Sequence, residues 1–209
     1  MLSVSGLHCE RDERVLFSDL HFAINAGEVW QVQGQNGSGK TTLLRILCGL
    51  NHDYSGDIFW RGNPVREHRE AFQAGVFYLG HSPAINKALT PLQNLRWFCA
   101  VSGFSDDVAI IAALAQQGLR GYEDVPCHNL SAGQQRRVSL ARLSLSPADL
   151  WVLDEPFTAL DRNAVAALEK QVADKARAGG AVLLTTHHPL QLDYELKRVD
   201  LDALMRRSV

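Results

Sequence analysis

The apolar run Val29-Trp30-Gln31-Val32-Gln33 leads into Gly34-Gln35-Asn36-Gly37-Ser38-Gly39-Lys40-Thr41, and a helical period follows from Thr41 to Leu50, where Gly49 and Asn51 stop it. The glycine-rich stretch fits G-x-x-x-x-G-K-[ST], and it stands between a strand and a helix, the context in which that pattern has a mechanism. Glycines let backbone N–H groups converge on phosphate oxygens, and the helix N-terminus adds its dipole. Lys40 can reach the β- and γ-phosphates, and the Thr41 hydroxyl can ligate Mg²⁺. The bland alternative is a turn with an incidental lysine. Four fixed positions match by chance in only about 1% of chains this long, so nucleotide binding is the better reading. Gly34 through Thr42 form the candidate phosphate-binding set.

Working outward, the chain alternates strand and helix. Leu2–Leu7 and Val15–Ile24 read as strands of a hairpin-like opening, divided by the charged stretch Glu10-Arg11-Asp12-Glu13-Arg14. Asp57–Trp60 and Val76–Leu79 read as further strands. From about Ile85 the texture turns helical. Thr90-Pro91 is a helix start, Ser105 with Asp106 and Asp107 opens a helix through about Leu119, and Gln134–Leu145 is ended by Pro147. Strand Leu150–Leu153, helix Asn163–Ala178 and strand Ala181–Thr185 complete the pattern. Alternating strands and helices imply an α/β fold with a parallel, doubly wound sheet. The expected organisation is a discontinuous core, 1–84 and 147–209, with a helical subdomain inserted at 85–146.

Composition narrows the class. Apolar types make up 46% and charged types 21% of the 209 residues, with a formal net charge of −2, so no global positive field gathers nucleic acid or anionic lipid. No uncharged apolar run approaches the roughly 18–20 residues that span a bilayer, and Met1-Leu2-Ser3-Val4 lacks the features of a secretion signal. Cys9, Cys48, Cys99 and Cys127 show no CxxC spacing and read as buried, reduced thiols. Cys127-His128 lacks a second ligand pair and reads as structural.

Further motifs carry chemistry. Trp151-Val152-Leu153-Asp154-Glu155 is an apolar strand ending in two acids. Asp154 is placed to hold Mg²⁺ beside Thr41, and Glu155 to polarise an attacking water. Alone, such a strand end is common; downstream of a phosphate loop it gains meaning. Leu130-Ser131-Ala132-Gly133-Gln134 reads as an ordinary helix N-cap, and equally as an anion site, since a capped helix N-terminus offers free N–H groups.

Together with Gln135-Arg136-Arg137, this last stretch resembles the signature motif of ABC-type ATPases. The resemblance covers nearly the whole chain, with the motifs in the family's order: Gly34–Thr41, Leu130–Gln134, Leu150–Glu155 and His187. It implies a P-loop NTPase core of ABC-ATPase type, with an antiparallel β region and an inserted α-helical subdomain. It also implies ATP and Mg²⁺ as ligands, Asp161 as the D-loop aspartate, and His187 as the switch histidine contacting the γ-phosphate region. His188 has no family role and is left structural. Two positions depart from the pattern. His81, in Leu79-Gly80-His81-Ser82-Pro83, holds the place of a glutamine that touches Mg²⁺ and the attacking water. An imidazole can hydrogen-bond that water but is a poor ligand for Mg²⁺. Where the family stacks an aromatic on adenine, this chain has Arg11.

Within the family, the chain looks like the ATP-binding subunit of the bacterial cytochrome c maturation (haem export) complex. That resemblance implies a peripheral homodimer at the cytoplasmic face of the inner membrane, docked on two integral membrane subunits that handle haem themselves. The alternatives are a subunit of another small-substrate exporter, or a non-transport ABC ATPase acting on DNA or translation. The stretch from Thr42 to Leu130 has no room for a long coiled-coil insertion, and the chain holds one motif set rather than two. A degenerate module that never hydrolyses is opposed by an intact Lys40, Asp154, Glu155 and His187.

Overall fold

A computed structural model describes residues 1–101, 103 and 106–205. Two compact units divide them: residues 1–78, 148–155 and the C-terminal part from 169 form the first, and 79–147 with 156–168 the second.

The first unit holds two sheets. In the antiparallel one, β1 (Leu2–Arg11) pairs with β2 (Arg14–Ile24) and β4 (Ser55–Trp60), and a two-residue strand, β5 (Asn63–Pro64), flanks β4. The charged stretch expected to divide the first two strands is mostly strand itself: Glu10 pairs with Val15 and Arg11 with Arg14. Exposed strand positions accept charge at little cost, and only Asp12 and Glu13 turn, both at positive φ.

The other sheet runs in the order β6 (Val76–Leu79), β7 (Leu150–Asp154), β8 (Ala181–Thr185), β3 (Val29–Gln33), β9 (Leu196–Asp200). β3 lies parallel to β8 and β9, and β7 parallel to β8. Every residue of β7 and β8 is buried, which explains their unbroken apolar character. After β3 the chain enters α1 (Lys40–Leu47), which ends before Leu50 because Gly49 turns left-handed at φ 68° and Leu50 N–H reaches back to the Arg45 carbonyl at 2.8 Å. Leu43, Leu44, Ile46 and Leu47 pack with Phe17, Leu20, Trp60 and Phe72 in the core. α2 (Arg69–Gly75), β9 and the short α7 (Leu201–Met205) lack a clear sequence signal.

β9 is an edge strand whose charges are used. Lys197 Nζ donates to Glu28 Oε1 at 2.5 Å, and Trp30 Nε1 to Glu28 Oε2 at 2.7 Å. Burial would raise the Glu28 pKa, but donation from the Asn25 backbone, Lys197, Trp30 and the Asn25 side chain outweighs it and holds the carboxyl at about 2. A group depressed in this way stabilises the fold above its unfolded pKa of roughly 4.3. That contribution disappears as pH falls towards 2. Glu28→Gln should therefore lower the unfolding midpoint at pH 7, and the gap to wild type should close between pH 5 and about 2.5. A gap that stays constant over that range would refute the assignment.

The second unit is helical: α3 (Pro91–Val101), α4 (Asp107–Gln116) and α5 (Ala132–Leu145) enclose Leu95, Cys99, Ile110, Leu114, Cys127 and Val138. Thr90 and Gln93 cap α3 reciprocally, at 3.2 and 3.0 Å. Asp106 caps α4, accepting from Val108 and Ala109 N–H, and the helix stops short of Leu119 near Gly118, at φ 70°. Ser105, expected to open α4 with it, lies outside the described residues. α6 (Arg162–Arg177) begins in this unit and ends in the first. All four cysteines are free and buried.

Candidate functional site

The phosphate loop owes its path to glycine. Gly34, Gly37 and Gly39 hold φ values of 149°, 81° and 95°, and a Cβ on Gly34 would stand 2.4 Å from Ser38 Oγ. That hydroxyl is buried with no hydrogen-bond partner among the described residues. Lys40 folds back, donating to the Gly34 carbonyl at 2.7 Å and the Gln35 carbonyl at 2.9 Å. Its ammonium is thus held over the loop, where an anion would meet it.

The end of β7 meets the start of α1. Thr41 Oγ1 donates to Asp154 Oδ2 at 2.9 Å, and Thr185 Oγ1 donates to Asp154 Oδ1 at 2.7 Å. Asp154 is 2% exposed, so these hydroxyls compensate much of the cost of burying its charge. The two oxygens facing the loop, Thr41 Oγ1 and Asp154 Oδ2, are hard donors. Thr185 accepts in turn from Glu155 N–H at 3.0 Å. Glu155 takes φ 48°, a left-handed conformation costly for a residue with a side chain. Its Oε2 accepts from His187 N–H at 3.3 Å, and Oε1 lies 3.6 Å from His187 Nε2.

These residues surround one pocket of about 330 Å³, lined by Asn36, Gly37, Gly39, Lys40, Thr41, Thr42, Asp154, Glu155 and His187, together with Arg11 and Leu16. The phosphate loop, both acids and His187 are therefore brought together, with Arg11 beside them and no aromatic lining the pocket. At the next position, Thr186 Oγ1 accepts from the His188 backbone N–H at 2.9 Å.

Leu130–Gln134, His81 and Asp161 belong to the second unit. Ser131 and Gln134 form a reciprocal capping box, at 3.2 and 2.9 Å, that opens α5 with Ser131 exposed. A Cβ on Gly133 would meet the Ala159 carbonyl at 2.8 Å, so only glycine permits that approach. Asp161 caps α6 through Ala164 N–H at 2.9 Å and pairs with Arg137. His81 is exposed. Its carbonyl and that of Gly80 accept from Arg136 at 3.2 and 2.9 Å. Arg136, Ser139 and Arg142, spaced along α5, donate to carbonyls of 80–84: Gly80 and His81, then Pro83, then Ala84. Arg136 also reaches the Pro156 carbonyl at 3.3 Å. Cys127-His128 is structural: its N–H groups donate to the Leu89 and Lys87 carbonyls. Sequence reading missed Thr185, which carries no motif signal of its own, and took Arg136 only as part of the stretch after Leu130–Gln134, not as a site-building residue.

The sequence model for ABC transporters matches residues 17–158. Over 204 residues the chain is 50% identical to the cytochrome c biogenesis ATP-binding export protein of Hahella chejuensis (strain KCTC 2396), covering 98% of this chain and 97% of that relative. The protein of the same name from Escherichia coli (strain K12) is 48% identical over 202 residues, with 96% of each covered. Among solved structures, a Pyrococcus furiosus chain superposes with a TM-score of 0.83 at 24% identity over 97% of this chain and 98% of its own, a likeness of fold. An ATP-binding subunit of an ABC transporter superposes with a TM-score of 0.80 at 25% identity, covering 90% of this chain and 79% of that one.

Proposed function

Because this chain belongs to the ABC transporter family, we propose that it is the ATP-hydrolysing subunit of a transporter complex that couples ATP hydrolysis to haem export or delivery in c-type cytochrome biogenesis. The observation that carries the ATPase reading is the single pocket in which Lys40, Thr41, Asp154, Glu155 and His187 converge. The relatives' shared name, at about half identity over nearly full length, supports the export role.

In this reading the N–H groups of the phosphate loop and the Lys40 ammonium hold the β- and γ-phosphates. Glu155 accepts a proton from the attacking water, and His187, within reach of its carboxylate, orients that water and the γ-phosphate. Thr41 and Asp154 fit Mg²⁺: their oxygens are hard, and among the described residues no group of three or more His, Cys, Asp or Glu forms a full protein cage. Such a sparse set is usual for Mg²⁺, which takes other ligands from phosphate and water. Bound there, the ion would neutralise phosphate charge. His81 takes the place of the water-touching glutamine, and Asp161 and Leu130–Gln134 contribute to the nucleotide of a second copy. The functional division proposed is a core, 1–84 with 147–209, and a signature unit, 85–146; the compact units differ from it by grouping 79–84 and 156–168 with the helices.

No helix among the described residues is long and apolar enough to cross a membrane. The location that the relatives' shared name supports is peripheral, at the cytoplasmic face of the bacterial inner membrane, as a homodimer on two integral membrane subunits. Haem is handled by those subunits, and nucleic acid is not a partner. Purification of the tagged protein from detergent-solubilised membranes tests this. Co-recovery of integral membrane proteins with haem absorbance is expected. Recovery with nucleic acid or ribosomes, or an active complex without haem, would overturn the export role while leaving the ATPase reading standing.

A further inference from the structure

The phosphate loop is held from behind by the C-terminal segment. In the parallel pair of β3 and β9, Gln33 stands opposite Asp200, so the residues that follow each strand leave the sheet side by side. Leu201 is fully buried, and Asp200 Oδ1 accepts from Asp202 and Ala203 N–H, at 2.9 and 3.2 Å. These contacts fix the next side chain. Asp202 Oδ2 accepts from the Gln35 backbone N–H at 2.9 Å.

The peptide group that donates to Asp202 is the one whose carbonyl, Gly34 C=O, accepts from Lys40 Nζ at 2.7 Å. In a trans peptide the C=O and N–H point in opposite directions. One flat group is therefore polarised between an ammonium and a carboxylate, each making a charge-assisted hydrogen bond to it. Gly34, at φ 149°, gives the peptide its freedom to turn. Asp202 supplies the acceptor on the far side that favours this orientation.

We infer that Asp202 is a positioning residue for Lys40: through the Gly34–Gln35 peptide it fixes the carbonyls on which the phosphate-binding ammonium rests. The inference rests on Lys40 as the phosphate-binding cation. It assigns to the C-terminal segment a part in nucleotide affinity that neither the phosphate-loop motif nor any other motif in the chain includes.

A double-mutant cycle on the full chain tests it, with ATP affinity read from a fluorescent ATP analogue and ATP competition. Asp202→Ala should weaken ATP binding roughly three- to tenfold in the wild-type background. In a Lys40→Ala background the same change should move affinity by less than about twofold, because the residue it positions is gone. Simple repulsion between Asp202 and the phosphates would act the other way, tightening binding when Asp202 is removed. Loss of equal size in both backgrounds, unchanged affinity or tighter binding would each overturn the inference. Asp202→Asn keeps an acceptor oxygen and loses the charge, and it should show an intermediate, Lys40-dependent loss. It carries the same test if the alanine variant folds poorly. Lys40→Ala that binds ATP normally would instead defeat the phosphate-loop reading itself, so the two failures are distinguishable.

Discussion

Glu155→Gln should reduce ATP turnover by about 10²–10⁴-fold, the usual loss when a general base is removed, while ATP affinity stays near wild type. Glutamine keeps the size of the side chain and an oxygen that can accept the His187 N–H, a 3.3 Å contact in the native chain. The backbone N–H of residue 155 still reaches Thr185 Oγ1, so the loop geometry survives. What is lost is the ability to take a proton. Nucleotide affinity depends on the phosphate loop, Lys40 and Thr41, whose own hydrogen bonds run to the Gly34 and Gln35 carbonyls and to Asp154. Steady-state phosphate release and nucleotide titration separate the two quantities. Near-normal turnover in the variant would place the base elsewhere.

Ser131→Arg should abolish steady-state hydrolysis while monomeric protein still binds ATP. Ser131 caps α5 from an exposed position, so its hydroxyl and the N–H groups after it offer an anion site. If that site closes over the γ-phosphate held by Lys40 of a second copy, ATP stabilises the closed dimer and ADP does not. A long cationic side chain there blocks closure without touching the phosphate loop of its own chain. Mixing Ser131→Arg with Lys40→Ala protein gives the sharper readout. A heterodimer retains one composite site with both residues intact, so part of the turnover should return. Full turnover in Ser131→Arg, or full hydrolysis by strictly monomeric protein, would defeat the shared site.

The residues differ in how far the sequence discloses them. Gly34–Thr41 is legible because its function lies in local backbone geometry, which glycine spacing encodes. β7 and β8 are legible because central parallel strands are apolar on both faces. Thr185 is different. It meets Asp154 only because the register of β7 and β8 places them side by side, and nothing near either residue announces that. Asp202 reaches Gln35 across almost the whole chain, through an edge strand, Leu196-Lys197-Arg198-Val199-Asp200, too charged to stand out as a strand. Arg136 is legible as part of the Gln135-Arg136-Arg137 stretch beside the signature, but not as a residue 2% exposed and gripping carbonyls. Long-range pairing, rather than local propensity, decides all three.

The grip of α5 on residues 80–84 is blind to side chains. Arg136, Ser139 and Arg142 all donate to main-chain oxygens, which every amino acid supplies. A segment held in this way can exchange its side chains while its path is kept, so mutational drift at position 81 carries little structural penalty. If His81 holds the place of the family's glutamine, as proposed, the exchange is a change in chemistry presented from an unchanged mount. In that reading, position 81 can change how the enzyme handles water while its scaffold is kept.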